Sequence, residues 1–126
     1  IYNEKDKINF LSQHDIFLLP SNEEADSIAL KEAMACGLPV IISKQCRLNE
    51  VETSNCGLII QNNKIDDLTM AIRKMSDKKI LYIMGNNSAD LINKKYRSDV
   101  TNENFYEIYF DLTNGTRIAN NWQYNN

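Results

Sequence analysis

The stretch from Asp15 to Ser43 restricts the possible folds more than any other part of this 126-residue chain. It contains an apolar run at residues 16–19, a polar loop at 20–26, a helical segment, and a second apolar, β-branched run at 40–42. Strand–helix–strand crossovers of this kind are almost always right-handed and parallel. The stretch therefore predicts an α/β fold in which a helix begins at the carboxyl edge of a parallel sheet, where such folds bind anionic ligands.

The helix in this stretch carries start and stop signals. Asp26 or Ser27 can cap its N-terminus by accepting hydrogen bonds from backbone N–H groups. Gly37 suits the left-handed residue after the C-terminus, and Pro39 prevents continuation. From this cap the predicted helix continues through the apolar residues Ile28, Leu30, Ala33 and Met34.

The rest of the chain adds one strand and several helices. Parallel strands are predicted near 15–20, 39–43 and 57–60, with helices at 3–13, 65–75, 78–95 (broken near Gly85) and 102–112, and a turn of helix within 48–53. Three strands make a thin sheet, and a complete doubly wound domain would need more strands before Asp15. We therefore predict part of a Rossmann-like three-layer sandwich over residues 1–112, followed by a polar tail at 113–126.

Composition excludes several classes of protein. The chain is 43% hydrophobic and 25% charged with a net charge of −3, which is typical of a globular protein and argues against nucleic-acid binding. No apolar run is long enough to span a bilayer. The three cysteines lack a CxxC pair or a nearby histidine, so reduced cytoplasmic thiols are expected and a metal site is not.

Two carboxylates flank the start of the predicted helix. The backbone N–H groups of Ser27, Ile28 and Ala29 would be free to meet a phosphate, with the positive end of the helix dipole behind them. Glu24 precedes the cap, and Glu32 lies about 7 Å along the helix. Two carboxylates can lie beside a diphosphate if they bind sugar hydroxyls instead of phosphate oxygens, because a carboxylate accepts hydrogen bonds from hydroxyl groups.

Residues 24–32, EADSIALKE, match a motif of two glutamates separated by seven residues, E-x7-E. Together with Pro20-Ser21 before them and EAMACGLPVI at the second glutamate, they resemble the C-terminal domain of family 4 retaining glycosyltransferases. The resemblance covers residues from Asp15 to Leu112, because three further segments also match the family: Asn49-Glu50-Val51, Gly57-Leu58-Ile59 and Tyr109.

The resemblance implies a two-domain GT-B enzyme that transfers a sugar, with retention, from a UDP-, GDP- or ADP-sugar donor, without a metal or other cofactor. Glu32 would bind ribose hydroxyls, and Glu24 would contact the donor sugar as the catalytic residue. The amides of Ser27 and Ile28 would hold sugar and diphosphate, with Asp26 beside the donor. The acceptor, a sugar or a lipid-linked sugar, would bind an N-terminal domain, and family prevalence suggests a bacterial surface polysaccharide made in the cytoplasm or at the inner face of the membrane.

Two departures from the family pattern bear on the site. Residues 25–27, Ala-Asp-Ser, replace the family's usual Gly-Phe-Gly. Cys46-Arg47 replaces a Gly-Gly pair, and these larger side chains are expected either to narrow the cleft or to add a cation facing the phosphate. The upstream glycine-rich loop and the Arg/Lys pair that hold the diphosphate have no counterpart. We therefore expect the chain alone, as the second half of a donor-binding domain, to be inactive.

Other interpretations of the same residues stay open. Glu24 could be a solvated loop acid, and Glu32 an exposed helix acid paired with a neighbouring lysine. The fold would also suit a non-catalytic nucleotide- or phosphate-binding module, or a receiver-like interaction domain. A receiver, however, needs acids at the end of its first strand, whereas Asp15 begins that strand. Finally, the apolar strand at 16–19 lacks edge-protecting residues, which predicts self-association through an exposed sheet edge.

Overall fold

The computed structural model describes residues 3–22, residues 27–99 and residue 108. In chain order its helices and strands are α1 (Glu4–Leu11), β1 (Phe17–Leu19), α2 (Ile28–Ala35), β2 (Val40–Ser43), α3 (Glu50–Thr53), β3 (Gly57–Ile60), α4 (Ile65–Lys74) and α5 (Lys78–Lys95). Short 3₁₀ turns follow β2 and α5.

The three strands form one parallel sheet in the order β1-β2-β3. Leu18 of β1 lies opposite Ile41 of β2, which in turn lies opposite Leu58 of β3. The predicted α/β class and parallel strands are confirmed: β3 has the predicted bounds, β1 is shorter than its predicted range, and β2 begins one residue later than predicted.

Helices cover both faces of the sheet, because side chains of β2 point alternately to either side. Val40 and Ile42 belong to a core shared with α1, α2 and the second half of α5. Ile41, from the opposite face, packs against α4 and the first half of α5. All four β2 residues are buried, as expected for a central parallel strand with helices on both sides.

Local signals fix both ends of α2. The Ser27 side chain accepts a hydrogen bond from the Leu30 amide at 3.1 Å, which confirms it as the N-cap. At the other end Gly37 has φ 83°, the left-handed conformation predicted for it. Ile28, in the first turn, is 48% exposed, whereas Leu30, Ala33 and Met34 are buried.

Gly57 allows the closest approach between two strands. It pairs with Val40, and a β-carbon at position 57 would overlap the backbone of Val40. Glycine therefore permits the register that joins β3 to β2.

Three helix predictions need correction or lie beyond the described residues. α5 is continuous through Gly85, which is buried, because packing of α5 against α2 and β3 outweighs the poor helix propensity of glycine. The helix at 65–75 was predicted from an apolar stripe at helical spacing that includes Ile65 and Ile72, and in α4 this stripe is only partly buried, since Ile65 is 84% and Ile72 41% exposed. The helix predicted at 102–112 lies outside the described residues except for Ile108, which is half-buried against the first core.

All three cysteines are buried and free. Desolvation raises the pKa of Cys56 to about 11, and it raises that of Cys36 further. Burial therefore keeps these two thiols protonated, as small apolar groups of the core.

No helix in the described part of the chain combines the length and apolar character that crossing a membrane requires.

The two edges of the sheet differ in protection. At β3 the Glu52 carboxylate accepts a hydrogen bond from the Ile59 amide at 3.2 Å. Within residues 3–22 and 27–99, no strand pairs with the outer edge of β1, and Leu18 of this strand is 41% exposed. The unpaired backbone groups and the apolar side chain make β1 the open edge.

We therefore expect the 126-residue chain to self-associate through β1, and Leu18→Lys to shift it toward monomer by placing a charge on that edge. Sedimentation velocity at several concentrations measures this change. Ile72→Lys is the matched control, because Ile72 has the same 41% exposure but lies on α4. A parent chain that stays monomeric at all concentrations would contradict the prediction.

Candidate functional site

The carboxyl ends of the strands hold the loop that leads from β1 toward α2. Ser43, at the end of β2, donates from its hydroxyl to the Ser21 carbonyl oxygen at 2.5 Å. Asn63, just after β3, donates to the same carbonyl at 3.2 Å and to Asn22 Oδ1 at 2.7 Å. Polar groups from all three strand ends therefore meet at one edge of the sheet.

The capped start of α2 follows this loop. Ser27 is extended and caps the helix, so the amides of Ser27 and Ile28 precede the first intrahelical hydrogen bonds. Two of the predicted site residues, Glu24 and Asp26, lie outside the described residues. The structure thus describes three of the five predicted site residues. These three, Ser27, Ile28 and Glu32, belong to α2 and its N-cap.

The third of these, Glu32, is the buried acid of α2. It is 6% exposed, and its Oε1 accepts a hydrogen bond from Lys7 Nζ of α1 at 2.8 Å. The same ammonium lies 3.0 Å from Glu4 Oε1. The hydrogen bond with Glu32 is the largest of the influences that raise the pKa of Lys7 above its ordinary value, so the lysine is charged at neutral pH.

This arrangement differs from the alternative interpretation of Glu32 as an exposed helix acid paired with a neighbouring lysine. The acid is paired with a lysine, but that lysine lies 25 residues earlier and on another helix, and the carboxylate is buried instead of exposed. A sugar hydroxyl that binds Glu32 would share the carboxylate with the Lys7 ammonium or replace it. The Lys7 ammonium offsets part of the cost of removing this carboxylate from water.

A small cleft of about 130 Å³ lies on another side of the start of α2. Its lining includes Ser27, Lys31, Arg47 and Tyr96. Arg47 is exposed and has φ 54°, a left-handed conformation that is uncommon for arginine. Lys31 is buried, and its ammonium lies 5.0 Å from the centre of the Tyr96 ring, a cation–π contact. The cleft thus brings two cations next to the helix N-terminus.

Tyr96 also ties this cleft to α3. Its hydroxyl donates to Glu50 Oε1 at 2.7 Å. This hydrogen bond is the main reason that the pKa of Glu50 lies below its ordinary value. Glu50 belongs to the Asn49-Glu50-Val51 segment that carried part of the family resemblance, and its contact fixes α3 against the end of α5.

Larger clefts lie elsewhere in the described structure. One, of about 240 Å³, is lined by β3 and α4, and another, of about 270 Å³, lies beside α5 near Ser54. Neither includes a residue of α2. Within residues 3–22 and 27–99, no group of three His, Cys, Asp or Glu side chains is arranged to hold a metal ion.

Sequence reasoning did not identify four residues of this region: Glu4, Lys7, Ser43 and Asn63. Ser43 and Asn63 were recognisable in principle, because polar residues that follow parallel strands gather at the carboxyl edge of the sheet. Nothing local indicated Glu4 and Lys7, since their contact with α2 exists only in the folded chain.

Comparison with protein families gives a match over most of the chain. Residues 2–98 match the model of the family described as glycosyl transferases group 1. No solved structure matches the chain.

Curated proteins with similar sequences are transferases or synthases from bacteria. The chain is 30% identical over 111 residues to an Escherichia coli UDP-Gal:α-D-GlcNAc-diphosphoundecaprenol α-1,3-galactosyltransferase, covering 82% of the chain and 27% of that protein. It is 28% identical to a Bacillus anthracis N-acetyl-α-D-glucosaminyl L-malate synthase, covering 81% of the chain and 27% of the relative. The third is a Corynebacterium glutamicum GDP-mannose-dependent monoacylated α-(1-6)-phosphatidylinositol monomannoside mannosyltransferase, 31% identical over 60% of the chain and 22% of that protein. The chain therefore spans about a quarter of the length of these relatives.

We expect Tyr96→Phe to lower the free energy of unfolding at neutral pH by up to about 1 kcal/mol, because solvent screens the hydrogen bond that Glu50 loses. The folded-state pKa of Glu50 is depressed, so this contribution is complete above its unfolded pKa and disappears as the pH falls through the folded value. Urea unfolding at neutral and acidic pH measures the difference. Tyr82→Phe is the control, since no described hydrogen bond of the Tyr82 hydroxyl is found; an equal effect of both variants at all pH values would contradict the assignment.

Proposed function

The chain belongs to the glycosyl transferases group 1 family, and on that premise we propose that it forms part of the donor-binding domain of an enzyme that transfers a sugar from a nucleotide-sugar donor with retention of configuration. The single observation that best supports this proposal is the meeting of three parallel strand ends at the capped start of α2, with Glu32 just inside that helix.

The start of α2 suits the diphosphate of such a donor. The amides of Ser27 and Ile28 and the helix dipole favour an anion, and no rearrangement of the helix is needed to present them. Arg47, exposed in the adjacent cleft, is a cation within this chain that could offset part of the diphosphate charge. We assign these groups to holding the donor.

The E-x7-E motif supplies the two acids of the proposed site. Glu32 binds the ribose hydroxyls, and Glu24, together with Asp26, faces the donor sugar. In transfer with retention, the acceptor attacks the face of the sugar that the leaving diphosphate vacates, and the diphosphate takes the acceptor's proton. Protein groups then act mainly by positioning the donor and by stabilising charge on the leaving group.

The identity of the donor is left at the level of its class. One relative's name specifies UDP-Gal and another's specifies GDP-mannose, so a nucleoside diphosphate sugar is the shared chemistry. The same names give lipid-linked acceptors, a diphosphoundecaprenol and a phosphatidylinositol mannoside. By analogy, we propose that the whole protein uses a sugar or lipid-linked acceptor and acts in the cytoplasm or at the inner face of the membrane.

A non-catalytic nucleotide-binding role is the second candidate. The observation that favours it is the pairing of Glu32 with Lys7, because a site in which this acid is already paired would hold its ligand mainly through phosphate at the start of α2. Measuring sugar transfer distinguishes the two roles, because both would bind a nucleotide but only one would transfer a sugar.

In the full-length protein that the gene encodes, we expect Glu32→Gln to weaken donor binding by about 1–3 kcal/mol, the scale of hydrogen bonds to a charged group. Glu24→Gln should reduce turnover more than donor affinity, because its partner is the reacting sugar. Donor KM, donor Kd and kcat measure these effects, with Asp66→Asn as an exposed-acid control on α4. If KM, Kd and kcat are unchanged in both glutamate variants, the prediction is wrong and the two glutamates have no role in donor binding or turnover.

We also expect the 126-residue chain by itself to show no transfer from UDP-, GDP- or ADP-sugars, since it spans about a quarter of the length of its relatives. Product formation by highly purified chain, assayed by mass spectrometry and abolished by Glu24→Ala, would contradict this expectation.

A further inference from the structure

The ion-pair cluster of Glu4, Lys7 and Glu32 contains an unusual oxygen atom. Lys7 Nζ lies 3.0 Å from Glu4 Oε1 and 2.8 Å from Glu32 Oε1, so a single ammonium serves two carboxylates. The second oxygen of Glu4, Oε2, is buried and has no hydrogen-bond partner among the residues that the structure describes. Within that part of the chain, the cluster therefore holds an acceptor that is hidden from water and lacks a donor.

A buried acceptor without a donor is costly, and such atoms in folded proteins call for an explanation. Glu4 lies in the first turn of α1, where the helix dipole favours an acid, but that placement does not require Oε2 to be buried. Its side chain is only 17% exposed. A ligand group that donates a hydrogen bond to Oε2 would remove the penalty.

The charge of the cluster indicates what kind of donor fits. The two carboxylates and one ammonium leave a net charge of −1. A second cation at Oε2 would lie close to the Lys7 ammonium and be repelled by it. A neutral hydroxyl also donates to a carboxylate and avoids that repulsion.

We propose that Glu4 is a further hydroxyl-binding residue of the donor site, so that Glu4 Oε2 and the Glu32 carboxylate together accept hydrogen bonds from the vicinal hydroxyls of the nucleotide ribose. This inference rests on the proposed function of Glu32. Lys7 acts as the positioning residue that holds both carboxylates at one point and cancels one of their charges.

Access to the pair of carboxylates depends on Lys7. Its side chain is 33% exposed, against 7% for Glu32, so it forms the solvent-facing side of the cluster. Its flexible four-carbon stem can shift while the ammonium keeps a contact with one carboxylate. The ribose would therefore approach the cluster from the Lys7 side.

The test measures how strongly the full-length protein prefers a ribose to a deoxyribose. UDP, GDP and ADP are screened by calorimetry, and the best binder is compared with its 2′-deoxy and 3′-deoxy forms. In the parent protein we expect the loss of a hydroxyl to raise Kd about tenfold, the scale of one hydrogen bond to a charged group.

We expect Glu4→Gln to reduce this preference by roughly threefold and Glu4→Met, which has no oxygen, to reduce it further. Asp6→Asn is the matched control, an exposed acid on the same helix, and should keep the parental preference. Thermal unfolding monitored by circular dichroism verifies that each variant is folded. If Glu4→Met does not fold, the nearly isosteric Glu4→Gln decides the question.

The outcomes separate this inference from the function on which it rests. If Glu32→Gln loses the ribose preference while both Glu4 variants keep it, Glu4 has only a structural role and the inference is wrong. If Glu32→Gln also keeps the preference, or none of the three nucleotides binds, the proposed function fails, and the inference fails with it. Loss of the preference in Glu4 and Glu32 variants, but not in Asp6→Asn, supports both.

Discussion

The structure depends on the burial of β2 between two parallel neighbours. Every residue from Val40 to Ser43 is covered, so the strand is stable only when helices lie on both faces of the sheet and strands pair with both of its edges. Its parallel pairing also brings the three carboxyl ends together. Ser43 and Asn63 can then bond to the loop after β1, and the start of α2 is held beside them. The position of the candidate site is thus a consequence of strand direction.

Elements with complete local signals were predicted well from sequence. The boundaries of α2 follow from a capping serine, a glycine that adopts a positive φ and a proline, and each acts within a few residues. The strands were predicted from short apolar runs, which are also signals contained within a few residues. The predictions failed where distant contacts decide: Gly85 lies inside an unbroken α5 because the helix packs along its length, and Ile65 is exposed because no described element covers that end of α4.

The candidate site shows the same division. The motif that contains Ser27, Ile28 and Glu32 is continuous in sequence, so its placement on one helix could be predicted. Its electrostatic environment could not, because Lys7 reaches Glu32 from another helix. The pairing changes the chemistry expected of Glu32: a solvent-exposed carboxylate binds hydroxyls at little cost, whereas this one must exchange or share a cation. The sequence therefore predicted where Glu32 lies on the helix, but not that Lys7 pairs with its carboxylate.

The burial of every thiol has a practical consequence for labelling. Maleimides and iodoacetamides react with exposed thiolates, and Cys36, Cys46 and Cys56 are all covered in the native fold. A single cysteine introduced at an exposed position, such as that of Gln45 beside the cleft, would therefore react ahead of the native three. A fluorophore could be attached next to the start of α2 without first removing any natural cysteine, and its emission would report directly on occupation of the neighbouring cleft.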